Sequence, residues 1–186
     1  MTFMQAVLVL IALTFVPGLE LRASIPFGWF HSSITEHLGP AGVIAISLIS
    51  NIFVGLITFA LMEPVVIFFR QWGWFDRKIW PFFVRAQNKL HPYVEKHGEW
   101  GLAVFIGIPL PGTGAYTGAV GAYLLGFDKK RFFLANLAGI FIACTLVVLL
   151  CILIQHGAIS EDSILRRLFL NEDSMLRRLF LKDVSD

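Results

Sequence analysis

Ile108-Pro109-Leu110-Pro111-Gly112-Thr113-Gly114-Ala115-Tyr116-Thr117-Gly118 interrupts an apolar stretch that runs from Gly101 to Leu125. Proline removes a backbone donor and glycine removes the side chain, so one unbroken helix is not expected here. The two arms hold about 10 to 13 residues each, too few to cross about 30 Å of hydrocarbon at about 1.5 Å per residue. Basic residues stand at both ends, Lys96 before and Lys129, Lys130 and Arg131 after. Such a segment is predicted to enter and leave the membrane on one side, as a re-entrant hairpin. Irregular backbone at membrane depth survives only where it is buried in protein or lines a wet cavity.

A second stretch has the same plan. Phe3 to Phe30 is apolar and broken at Phe15-Val16-Pro17-Gly18-Leu19-Glu20-Leu21-Arg22, with a further proline at Pro26. Each broken stretch leads to a long apolar run. Ala41 to Met62 has 22 residues without a charge, and Phe132 to Ile154 has 23. Either run is long enough to cross a bilayer as a helix. With 56% hydrophobic residues and a mean hydropathy of +0.73, the chain is far more apolar than a soluble domain. The apolar run from Phe3 to Val16 has no positive residue before it and no small-x-small site after it, so a cleaved signal is not expected.

The pattern predicts an all-α membrane protein, built as an inverted repeat of a re-entrant broken hairpin plus a transmembrane helix. Its membrane transport domain is predicted over 1–156, in halves at about 1–69 and 100–156. Between them, 70–99 mixes Arg70, Arg77, Lys78, Arg85, Lys89 and Lys96 with Trp72, Trp74 and Trp80, a composition suited to an interfacial connector on the inner side. The tail, 157–186, repeats itself after 11 residues: Glu161-Asp162-Ser163-Ile164-Leu165-Arg166-Arg167-Leu168-Phe169-Leu170-Asn171 returns as Glu172-Asp173-Ser174-Met175-Leu176-Arg177-Arg178-Leu179-Phe180-Leu181-Lys182. That period keeps one apolar stripe on a helix. The tail's basic residues run against the positive-inside tendency if it lies outside, so the orientation of the termini stays open.

Charges at membrane depth cost at least about 2.5–3.5 kcal/mol each and need a partner, a wet cavity or a function. Glu20 and Arg22 flank the first break. Two residues apart on a helix they point to nearly opposite sides, so either the backbone is unwound there or each has a partner elsewhere. One reading is an ion pair that only pins the hairpin; the other makes Glu20 a proton or cation site and Arg22 the partner of an anionic group. Glu63 precedes Pro64, which is expected to kink the second half of the first long run. Thr113, Tyr116 and Thr117 offer hydroxyls beside the second break, and Pro111, Gly112 and Gly114 shape its tip. Gly126 lies outside the tip, and Gly126→Ala is expected to have only a mild effect on transport. Asn51 and Asn136, each followed one turn later by Gly55 and Gly139, suit interhelical hydrogen bonding or ligand contact. Cys144 and Cys151 are seven apart on one predicted helix and are expected to be buried as small hydrophobes.

The five histidines have no metal-ligand spacing, and no phosphate loop or nucleophile elbow is present. No enzyme, cofactor, metal or nucleic-acid partner is expected. Glu20-Leu21-Arg22-Ala23-Ser24-Ile25-Pro26, with Pro109-Leu110-Pro111-Gly112-Thr113-Gly114-Ala115-Tyr116-Thr117-Gly118-Ala119, resembles the putative small multidrug export protein family. Phe127-Asp128-Lys129-Lys130-Arg131-Phe132-Phe133-Leu134-Ala135-Asn136-Leu137 is similar in layout to the wider DedA/VTT superfamily, although the chain lacks the arginine that DedA members carry in the second hairpin. The resemblance covers about 1–156 and implies two hairpins that meet in the membrane, with solute transport or lipid translocation as the activity.

The sequence thus predicts a transporter for a small or amphipathic solute, with its site between the hairpin tips and protons as a coupling ion. A lipid flippase or scramblase and a non-transporting scaffold are the alternatives. Membrane lipids and further copies of the chain are the expected partners, in the cytoplasmic membrane of a prokaryote.

Overall fold

The computed structural model of the chain describes residues 1–73, 77, 98–109 and 113–156. Among these residues all regular structure is helical. Most of the connector expected over 70–99, the repeated tail, and Pro111 and Gly112 lie outside the described residues.

Helix α1, Phe3–Phe15, opens with a capping box. Thr2 Oγ1 accepts from Gln5 N at 3.3 Å, and Gln5 Oε1 accepts from Thr2 N at 2.8 Å. It ends at Val16, held extended as the residue before Pro17. Helix α2, Glu20–Phe30, follows the break and contains Pro26. The two helices meet through Thr14, whose Oγ1 donates to Leu10 O and lies 2.8 Å from Ser24 Oγ.

Helix α3 runs over Ser32–Arg70, with one non-helical residue inside it, Gly39 at φ 63. That left-handed conformation suits glycine, and Pro40 then restarts the helix where its missing donor costs least. The non-helical backbone within α3 is at Gly39, while Pro64 lies inside the helix. A lost amide donor is tolerable in a long helix, whereas a positive φ reverses the backbone.

Helical residues 98–107 form α4, followed by α5, Ala115–Leu124, and α6, Lys129–Gln155. Helix α5 stops at a left-handed Gly126, φ 74. Gly126 N donates to Tyr123 O at 3.1 Å and Phe127 N to Ala122 O at 3.0 Å, the paired bonds of a glycine C-cap. Gly126 is therefore a conformationally demanding position. Asp128 then caps α6, its Oδ1 accepting from Arg131 N at 2.8 Å.

The long helices pack antiparallel. Phe59 stacks on Phe132 with ring centroids 4.3 Å apart, while Asn136 Nδ2 donates to Ile52 O at 3.4 Å. Position falls along α3 as it rises along α6. A core of Leu21, Ile25, Val54, Ile106, Phe132 and Ile140 joins α2 through α6, and Leu10, Ile34 and Val43 form a smaller cluster between α1 and α3. Phe53, Ile57, Leu61, Phe141 and Leu149 point outward instead. Helices α3 and α6 have the length and apolarity to cross a membrane, and an outward apolar surface is what lipid accommodates.

Candidate functional site

A broken helix leaves backbone groups without partners at both new ends: amides at the start of one arm, carbonyls at the end of the other. In hydrocarbon no water satisfies them. Here each break is served by side chains of the other.

Glu20 is the first residue of α2 and holds a left-handed φ of 51. A non-glycine residue in that region costs about 1–2 kcal/mol. Its carboxylate, 2% exposed, reaches the N-terminus of α5. Oε2 accepts from Ala115 N at 3.0 Å and Oε1 from Tyr116 N at 3.2 Å. A negative group belongs there, where the helix dipole is positive.

Arg22 serves the opposite side of the same break. Its Nη2 donates to Ile106 O at 3.0 Å and Ile108 O at 2.9 Å, the carbonyls at the end of α4. Nη2 also meets Thr113 Oγ1 at 3.3 Å, and Nη1 donates to Thr113 O. Thr113 Oγ1 donates in turn to Ile108 O at 2.6 Å. The guanidinium fork suits this cluster because its donors are rigid and fan out in one plane. Its Nε is buried without a partner.

The two charged groups converge on Gly114, the residue before α5, at φ 136. A β-carbon there would lie 2.6 Å from Glu20 Oε2 and 2.7 Å from Arg22 Nη1. Gly114 is thus required twice, by its backbone conformation and by the space the side chains fill. The return contact comes from Tyr116, whose hydroxyl donates to Phe15 O at 2.6 Å, at the end of α1.

The structure therefore gathers Glu20, Arg22, Thr113, Gly114 and Tyr116. Thr117 is exposed and makes only a 3.4 Å contact to Gly114 O. Asn136 joins α3 to α6, covering Gly55 so closely that a β-carbon on that glycine would collide with its amide. Asn51 is buried on α3 with its Oδ1 unpartnered. Glu63 is exposed on α3 and takes no part in the network at the breaks. Sequence reasoning missed the carbonyls of Phe15, Ile106 and Ile108, which no side-chain pattern reports, and the Thr14–Ser24 contact. Among the described residues no three His, Cys, Asp or Glu side chains gather as a metal site, and Cys144 and Cys151 are free and buried.

The family model described as putative small multi-drug export protein matches residues 20–146, from Glu20 through both charged positions, the second break and most of α6. No curated protein and no solved structure matches the chain. With two helices long and apolar enough to span a bilayer, this is an integral membrane protein, and the chain belongs to the putative small multi-drug export protein family.

Proposed function

We propose that the chain is a transporter that moves a small amphipathic solute past the junction of its two broken hairpins, with Glu20 carrying a proton during the cycle. One observation carries this reading: the two buried charged side chains of the described residues both lie on the α4–α5 break, at Gly114. Purely structural capping needs no charge, since neutral side chains and backbone satisfy most helix ends. Placing charge there instead couples the state of the break to protonation.

In the arrangement seen, the Glu20 carboxyl holds the first amides of α5 and Arg22 holds the last carbonyls of α4. A proton on Glu20 removes the negative charge that those amides favour and weakens the α2–α5 contact. The amides are then free for an acceptor group on the solute, and Arg22 Nε supplies one further donor. Loss of the proton on the other side restores the cap and expels the solute. The antiparallel pairing of α3 with α6 supports the inverted-repeat arrangement, in which the two hairpins approach from opposite membrane faces. We extend the reading to kinship with the DedA/VTT membrane proteins, through the paired hairpins.

Purified protein in vesicles tests this. A fluorescent amphipathic cation or acid, driven by an imposed pH gradient, should accumulate above protein-free vesicles. Movement of a fluorescent phospholipid with no solute uptake would instead make the chain a lipid translocase. Inactivity toward both, with the fold intact, would make it a scaffold.

A further inference from the structure

Away from the breaks, a groove of about 350 Å³ lies between α4 and the first turns of α6. Trp100, Ala103, Leu134, Ala135, Ala138 and Phe141 line it, together with Glu99. Ala103 and Ala135 are buried at its base, Ala138 is half-buried, and the larger side chains stand beside it: Trp100 is 72% exposed, Leu134 57% and Phe141 52%. One turn back along α6 from Leu134 and Ala135 come Lys130 and Arg131, on the same helix faces. They begin α6 just before its uncharged run, at the level where headgroups meet hydrocarbon.

The charges at this end are unequal. Arg131 Nε lies 3.5 Å from Glu99 Oε1 and 3.9 Å from Asp128 Oδ2, which engages both acids. Lys129 and Lys130 are exposed and have no ion pair among the described residues. A positive rim above an apolar, outward-open floor matches a molecule with a negative head and a hydrocarbon tail. We propose that this groove binds one anionic phospholipid, its phosphate on Lys130 with Lys129 adding charge beside it, and an acyl chain over Ala138 between Trp100, Leu134 and Phe141. The site does not depend on transport at the Glu20–Gly114 junction.

Trp100 reports occupancy directly. The full chain is placed in mixed bilayers with brominated phosphatidylglycerol or brominated phosphatidylcholine, and quenching is compared with that of Trp100→Phe, so that the difference isolates Trp100. Each basic residue near a membrane surface favours an anionic lipid about fivefold. The brominated anionic lipid should therefore occupy the site at least about fivefold more tightly than the zwitterionic one. The double variant Lys129→Gln, Lys130→Gln changes only exposed side chains and should bring the two lipids to near parity. Ala138→Phe, which fills the floor, should reduce quenching by both. Equal quenching of the unaltered chain by both lipids would overturn the proposal, as would a preference that survives loss of both lysines. Protection of Trp100 from both lipids, with cross-linking to a second copy through this face, would overturn it too.

Discussion

Glu20 Oε2 accepts a hydrogen bond from Ala115 N at 3.0 Å, tying the first residue of α2 to the first residue of α5 across 95 positions of chain. The contact reconciles two unfavourable features. Glu20 is a charge in an apolar segment and a non-glycine residue at positive φ. Both persist because the surroundings give the carboxylate two amides at the positive end of a helix.

Gly114 should be the least replaceable residue of the second break. Gly114→Ala places a methyl group on both charged side chains at a φ that alanine resists, and should cost about 3 kcal/mol or more. Gly121→Ala is the matched control, since a β-carbon there meets nothing within 4 Å and alanine favours a helix by up to about 1 kcal/mol. Gly126→Ala should fall between them, at about 1 kcal/mol, because of its left-handed cap. Thermal unfolding in detergent gives the order; equal stability of all three variants would contradict the geometry.

Arg22→Lys keeps the charge but loses the planar fork that spans Ile106, Ile108 and Thr113. It should be clearly destabilised relative to the parent, whereas Arg22→Leu should lose about 3–5 kcal/mol by leaving Glu20 buried without a countercharge. Combining Arg22→Leu with Glu20→Gln should recover part of that loss. Strict additivity in the double-mutant cycle would mean that the two groups are not coupled.

Tyr116→Phe removes one hydrogen bond and strands the Phe15 carbonyl, a loss of about 1 kcal/mol. Hydrogen exchange should quicken at the end of α1 if Tyr116 holds it. An unchanged exchange rate there would show that the contact is incidental.

Both breaks were legible because Pro17-Gly18 and Pro111-Gly112 interrupt otherwise continuous hydropathy, and Glu20 and Arg22 stood out because charge in an apolar segment is costly. What they touch was not legible. The partners of Arg22 are mostly backbone carbonyls, which every residue carries alike. The reversal at Gly39 was obscured by the stronger apolar signal beginning at Ala41. Gly126, a glycine directly after a short apolar arm, carries the sequence signal of a helix cap. Glu63, beside Pro64, lies exposed on α3, which continues through that proline.

The central claim is that Glu20 both caps α5 and carries the proton that drives the solute. Its most direct test is simultaneous measurement of proton and solute flux in vesicles holding the unaltered chain or Glu20→Gln, normalised to correctly inserted protein. The side-chain amide preserves size while removing the titratable group, at a stability cost of about 1 kcal/mol. The account predicts that the unaltered chain moves protons in step with solute, and that Glu20→Gln stays folded but no longer accumulates solute in response to a pH gradient. Undiminished pH-driven accumulation in Glu20→Gln, with proton flux still in step, would contradict it.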